Sequence, residues 1–471
     1  VSTWNLDEGQ NVPCYDQSAG CPASKKGAGS WRQGYALMKL AVISDVHFGD
    51  PSSTLAKLDG EGRPKLGRAF EPFIQAAGNR NDFLVLLGDI FDFSVSDYAT
   101  AYHVASNFFA EVNRQELARE ILYVPGNHDF SFWNIALHEI NVINQIKSGQ
   151  APKMRWTIPA VLDARAGVPA QSALTLVGVG AKRAPTAPGD HKYGGLFLDR
   201  FTAPPGSALQ PMPVNVAYPN AYVCDSEGCT LLTHGHYFEP YWSMTLPIVQ
   251  RIVGPDLVLQ SGEVDLEALV AVNFPLNELA SAGLGQAGPL ASVVGHIVTD
   301  LRTGSLEREK RYLQAAFEYL DDEVFTSAGW CFPKEIVSDA FLGMAKAVLL
   351  ETLKRQKSHC GARFNSSFLD DPRICTNLDR FLRACATERA NIRYQSLEVP
   401  EINALIFGHT HRSIPSASPL YHASSETNGP LTIFNTGGWL ETTPGGPIDA
   451  AVFTYDSERW PRWESRAISL E

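Results

Sequence analysis

Five short fragments of this chain combine side chains that bind divalent metal ions. They are Asp45-Val-His47, Gly88-Asp89-Ile-Phe-Asp92, Gly126-Asn127-His128-Asp129, His234-Gly-His236 and Gly408-His409-Thr-His411. Imidazole together with carboxylate or amide oxygen suits Mn, Fe or Zn better than Mg or Ca, whose sites are almost all oxygen. Alternate residues of an extended chain point to the same side. Asp45 and His47 can therefore grip one ion together, as can His409 and His411 if that tip stays extended. Glycines at 88, 126, 235 and 408 allow sharp turns and close backbone approach beside these donors. Taken singly each fragment is weak, because Asp-x-His arises by chance and a lone strand-end histidine is more often structural. The ordered set of five carries the reading.

Each fragment directly follows a short apolar run. Leu40–Ser44 precedes Asp45, Phe83–Leu87 precedes Gly88, and Ile121–Val124 precedes Pro125-Gly126. Between them, residues 99–119 carry apolar side chains at 101, 104, 105, 108, 109 and 112, which predicts a helix. Strand alternating with helix is the pattern of α/β units with a largely parallel sheet, and runs apolar on both faces fit strands covered on both sides. In such sheets ligands sit beyond the carboxyl ends of the strands, where all five fragments fall. Further runs at 174–179, 221–224, 230–233, 404–407, 431–434 and 451–455 predict a second sheet layer. Residues 150–220, with prolines at 185, 188, 204, 205, 211 and 213, are expected to form long loops near the site. From 237 to 400 the texture turns helical, as in 336–356 with Val337, Phe341, Met344 and Val348 on one face, so this stretch reads as a helical insertion.

The bulk properties narrow the classes. Of the 471 residues 44% are apolar and 19% charged, a globular balance that excludes disordered and collagen-like chains. A net charge of −12 leaves no overall footprint for nucleic acid, and the cluster Arg308-Glu-Lys-Arg311 reads as solvated helix surface. No run approaches the ~18 apolar residues of a membrane span. Residues 1–37 are rich in Gly, Ser, Gln and Asn and lack an apolar signal region, so they are expected to be a disordered leader, with Met38 as the natural start. Eight cysteines without a CxxC pair point to reduced thiols and a cytoplasmic protein, although Cys224 and Cys229 flank a turn and could face each other across a hairpin.

In their order the fragments resemble the calcineurin-like metallophosphoesterase superfamily, whose pattern runs D-x-H, G-D-x-x-D, G-N-H-D/E, a separate H, then G-H-x-H. The resemblance covers roughly 38–236 and 401–442 and stops at the insertion. It implies a four-layer α/β sandwich of two mixed β-sheets flanked by helices, here with a helical cap. It also implies two divalent ions, with Mn2+ favoured and Fe or Zn as alternatives. One ion would be held by Asp45, His47, Asp89 and His411, the other by Asn127, His234 and His409, with Asp89 shared. His128 would stabilise or protonate the leaving oxygen and Asp92 would orient it, while Asp129 is expected to be structural. On the residues alone either imidazole of His234-Gly-His236 could be the ligand. The family places it before the glycine, which leaves His236 beside the site or facing substrate. Asn435-Thr-Gly-Gly-Trp439 looks like a structural sheet element, and the histidines at 103, 138, 191, 296, 359 and 422 match no motif.

The implied reaction is hydrolysis of a phosphodiester, pyrophosphate or phosphomonoester by an attacking hydroxide. Protein phosphatases of the superfamily carry Arg just after the second Asp motif and end the third in Glu. Phe93-Ser94 and Asp129 stand there instead, which argues against that activity. The acidic balance argues against a nuclease. The layout is similar to bacterial UDP-diacylglucosamine pyrophosphatases, which also place a helical insertion after an HG motif, here with Trp242, Leu246, Ile248, Val249 and Ile252 as apolar candidates. Those enzymes usually carry Arg where His128 stands, which weakens the match. A metal-free scaffold of the same fold would have dropped ligands, whereas all seven positions are filled. The expected partner is a small phosphorylated substrate, lipid-linked in the pyrophosphatase alternative, with peripheral membrane association in that case.

Overall fold

The computed structural model describes residues 38–165, 173–177, 180–181, 198–240, 242–243, 265–285, 311, 368–393, 398–414 and 431–470. Its first strands are β1 (Lys39–Ile43), β2 (Ala56–Leu58), β3 (Pro64–Leu66), β4 (Asn81–Leu86) and β5 (Ala118–Tyr123). Next come β6 (Ala160–Asp163), β7 (Leu174–Leu176), β8 (Gly180–Ala181), β9 (Val214–Val216), β10 (Asn220–Cys224) and β11 (Cys229–Thr233). β12 (Ile402–Phe407), β13 (Ser413–Ile414), β14 (Thr432–Gly438), β15 (Asp449–Asp456) and β16 (Trp463–Ala467) follow the insertion.

Apart from the small β2–β3 hairpin, these strands form one mixed ladder with two halves. In the first half β1, β4, β5 and β9 run parallel, with β15 added antiparallel beside β1 and β16 antiparallel beside β15. In the second, β6 lies parallel to β10, β10 antiparallel to β11, and β11, β12 and β14 run parallel. Among the described residues the ladder passes from one half to the other through β14 and β15, where Gly437 and Gly438 pair with Ala450 and Asp449. Side chains then bring the halves against each other: the Trp463 indole N–H donates to Thr230 Oγ1 (2.9 Å) and the Tyr455 hydroxyl to Asp225 (3.0 Å). Helices α1 (Phe70–Ala77), α2 (Tyr98–Arg114) and α3 (Phe130–His138) accompany the first half. The fold is thus the mixed α/β architecture that the strand and helix pattern predicts.

The strand interiors are apolar because both faces are covered. Leu40, Ala41, Val42 and Ile43 of β1 are fully buried, as are Leu84, Val85 and Leu87 around β4. Each such large side chain contributes about 1.5–3 kcal/mol on burial, which anchors the strand ends firmly enough to hold unfavourable backbone beyond them. α2 starts at Asp97, whose carboxylate accepts from Thr100 N–H (2.7 Å), and buries its Val104, Phe108 and Val112 face.

Three expectations need correction or limits. The helix predicted to reach residue 119 ends at Arg114, because Leu117 and Ala118 turn into β5, where Ala118–Tyr123 pairs with β4. The stretch 150–220 is not only loop: β6, β7, β8, β9 and a short helix (Asp199–Thr202) lie within it. Within 237–400 the described residues are mainly helical, with helices Leu266–Gly285 and Pro372–Arg393. The face at 336–356 and residues 1–37 lie outside the described residues, as do Leu246, Ile248, Val249 and Ile252. Cys224 and Cys229 are partners across the β10–β11 hairpin, buried, with their sulfurs 3.8 Å apart. No described helix is long and apolar enough to cross a membrane.

Candidate metal centre

Parallel pairing puts the strand ends side by side. Ile43 of β1 lies opposite Leu86 of β4, Leu86 opposite Tyr123 of β5, and Thr233 of β11 opposite Phe407 of β12. Hydrogen bonding continues past the strands: Asp45 N–H donates to Gly88 O (3.0 Å), His47 N–H to Asp89 O (2.9 Å) and Gly408 N–H to His234 O (3.0 Å). The tips do not stay extended, which corrects the expected geometry. Asp45, His47, Asp89, His409 and His411 all have positive φ, between 52° and 71°. Left-handed backbone costs a non-glycine residue about 1–2 kcal/mol, so the chain holds five such residues at one spot against their preference. The donors converge because the backbone turns, not because a strand alternates. At Gly88 (φ +80°) a Cβ would meet the His234 ring at 2.5 Å, so the close approach of these two loops requires glycine.

The donors fall into two groups that share Asp89. In one, His47 Nε2 lies 3.2 Å from His411 Nε2 and 3.9 Å from Asp89 Oδ2, and His411 Nε2 lies 3.5 Å from Asp45 Oδ1. In the other, His234 Nε2 lies 3.3 Å from Asp89 Oδ2, 3.1 Å from Asn127 Oδ1 and 3.3 Å from His409 Nδ1. Donors that share an ion at about 2.1 Å stand about 3.0–3.4 Å apart at octahedral or tetrahedral angles, which matches most of these spacings. Facing imidazole nitrogens also fit this explanation, since the outer nitrogens of His47, His234 and His409 each face an acceptor. His47 Nδ1 faces Asp92 Oδ2 at 2.9 Å, His234 Nδ1 faces Leu87 O at 2.9 Å, and His409 Nε2 faces Glu239 Oε2 at 3.2 Å. A proton on each outer nitrogen leaves a lone pair directed inward. The residues therefore fit a pair of divalent ions.

Charge is concentrated in a nearly dry volume. Burial pushes the carboxyl of Asp45 up. Burial also opposes ionisation of Asp89, but His234 and His128 outweigh it and hold this carboxyl well below the usual range. Asp92 behaves alike under His128 and His47. His234 is pushed up to about 9 against its burial by Asp89 and Asp45, so a cation and a proton compete for its inner lone pair.

His128 sits beside Asp89 and edge-on to the His47 ring, with centroids 5.0 Å apart, and makes with those two residues a third set of donors near enough to share an ion. Its Nδ1 lies 3.0 Å from Asp92 Oδ1 and 2.9 Å from Ser94 Oγ, and its Nε2 lies 4.0 Å from Asp89 Oδ2. Asp92 thus faces His128 with one oxygen and His47 with the other, a double contact the motif spacing does not reveal. Asp129 accepts from the N–H groups of Ile90 (2.7 Å) and Gly126 (2.6 Å) and from the Tyr123 hydroxyl, tying the second fragment to the third. His236 is buried at 2% exposure, with Nε2 3.1 Å from the Tyr218 hydroxyl, and burial followed by the charges of His234 and His409 lowers its pKa well below the usual value. It is packed among aromatic rings (Tyr218, Tyr237 and Trp242), a setting that disfavours the substrate-facing reading. Asn435 donates to Gly408 O (2.7 Å), Thr436 Oγ1 contacts Ser44 Oγ (2.5 Å), and Trp439 N–H donates to Asp45 O (3.0 Å). That segment braces the loops that carry Asp45 and His409. His103 and His138 stand away from these donors, and the histidines at 191, 296, 359 and 422 lie outside the described residues. Ser94 and Glu239 went unread in the sequence, because single polar residues next to a motif carry no spacing signal of their own.

The family model for calcineurin-like phosphoesterases matches residues 38–204. The match holds the first three fragments and ends before His234, His409 and His411. A solved dimetal phosphatase from Danio rerio aligns over 93% of this chain and 100% of its own, at 12% identity and a TM-score of 0.24, a likeness too slight to carry detail. No curated protein matches. The similarity to calcineurin-like phosphoesterases rests on residues 38–204, about a third of the chain.

Proposed function

We propose that the chain hydrolyses a phosphodiester or pyrophosphate bond, ahead of monoesters, in a small phosphorylated substrate, using two divalent ions. Asp45, His47, Asp89 and His411 would hold one ion, and Asp89, Asn127, His234 and His409 the other. The observation that carries this reading is the place of Asp89 Oδ2 between His47 Nε2 (3.9 Å) and His234 Nε2 (3.3 Å), with His128 alongside. Two divalent ions supply Lewis acidity toward phosphoryl oxygens and activate water at neutral pH. Asp45 and Asp89 would add anionic oxygens that offset the repulsion of two cations. His128, with Nδ1 held by Asp92 and Ser94, can present an Nε2 proton to the departing oxygen. Asp92 would stabilise the charged imidazole before that transfer and keep the ring oriented after it.

Manganese is the favoured ion on donor chemistry, and a cytoplasmic setting goes with the free thiols. The lipid pyrophosphatase alternative has little support in the described residues. Of its apolar candidates only Trp242 is described, and it is buried against His236. The test is a screen of manganese-loaded protein against phosphomonoesters, phosphodiesters, nucleotides and UDP-linked lipids. Highest kcat/KM on a diester or pyrophosphate is expected; a preference for monoesters would overturn the bond assignment.

A further inference from the structure

One buried carboxylate outside the family pattern touches the centre. Glu239 follows the tight turn His236–Phe238 and is 7% exposed, and its Oε2 lies 3.2 Å from His409 Nε2. His409 is the exception among the paired histidines. His47 and His234 direct Nε2 inward and have Nδ1 engaged, whereas His409 directs Nδ1 toward His234 and has Nε2 on Glu239. A neutral imidazole has one N–H and one lone pair, so whichever nitrogen is bonded outward fixes the one left to bind. Glu239 is itself held from the insertion. Its backbone carbonyl accepts from Ser243 Oγ (3.0 Å), and Asn377 of helix Pro372–Arg393 donates to Ser243 Oγ and to Phe238 O (both 3.2 Å). Phe368, just before that helix, stands edge-on to the His409 ring at 6.3 Å.

We infer that Glu239 is a positioning residue for the second metal site: it fixes the His409 tautomer so that Nδ1 is the donor, and it ties that site to the helical insertion. The inference rests on the two-ion reading above. The insertion then has a role in metal retention as well as in any selection of substrate. A carboxylate bonded to the outer nitrogen raises the basicity of the inner one, and loss of such a partner weakens metal affinity 10–100-fold.

The test is titration of metal-stripped full-length protein with Mn2+, following free ion by electron paramagnetic resonance. Wild type, Glu239→Ala and Glu239→Gln are compared, with near-ultraviolet circular dichroism reporting the fold. The wild type should bind two ions. Glu239→Ala should bind one as the wild type does and the other about 10-fold or more weakly. Glu239→Gln, whose amide oxygen can still accept from Nε2–H, should recover part of that loss. Wild-type binding of both ions by Glu239→Ala would overturn the inference while leaving the two-ion reading intact. An equal weakening of both ions would overturn it too, as a general structural effect. A wild type that binds fewer than two ions would sink the underlying reading itself.

Discussion

At the scale of single residues, the account turns on protons and lone pairs. Asp92 illustrates how much one carboxylate can organise, since it faces the inner ring of His47 and the outer ring of His128 at once. If His128 protonates the leaving oxygen, its removal should spare the metals and slow the chemistry. His128→Ala is expected to keep two ions per chain and to lose about 100-fold or more in kcat. The loss should be larger on an alkyl diester than on a nitrophenyl one, because a weakly basic nitrophenolate departs with little help from an acid. Steady-state kinetics on both substrates, paired with metal analysis, checks this. Equal kcat to wild type on the alkyl substrate would remove His128 from the reaction.

Elements decide which residues could be read in advance. Strands β1, β4, β5, β11 and β12 were legible because each contains a short apolar run that leads into a polar motif. β6, β9 and β16 were not, because they are short or carry exposed polar residues, as in Trp463–Ala467. Their pairing comes from neighbours far away in sequence, which local pattern does not encode. The left-handed backbone at Asp45, His47, Asp89, His409 and His411 was equally hidden, since nothing about Asp or His announces positive φ. Tertiary burial also sets the behaviour of helix Pro372–Arg393. Its Glu388 is half-buried against Tyr222 and Asn220 of β10, and the loss of solvent around it pushes its carboxyl up to about 7 from an ordinary 4.5. Between those values the folded chain holds a proton that the unfolded chain releases. The contribution is therefore fully present below about 4.5 and is lost as pH rises through about 7, a change of roughly 3 kcal/mol. Urea unfolding of wild type and Glu388→Gln should diverge from pH 5 to pH 8, with the wild type losing the more stability. A difference between the two that stays constant with pH would contradict it.

Across the whole molecule, two half-sheets that pair through Gly437 and Gly438 bring candidate metal donors together from residues 45 to 411. The first half supplies Asp45, His47, Asp89 and Asn127, and the second supplies His234, His409 and His411. Neither half can complete a site alone: the first group of donors needs His411 and the second needs Asp89 and Asn127. The type of chemistry was legible because all seven donors sit in recognisable fragments. The substrate was not, because much of the insertion between His234 and His409 has no such signature. The most direct measurement is metal content of protein purified without chelator, for wild type and Asp89→Ala. The account predicts close to two transition-metal ions per wild-type chain and a clear loss in Asp89→Ala, with the fold retained by circular dichroism. A wild type without stoichiometric metal, or an Asp89→Ala variant that keeps both ions, would contradict it.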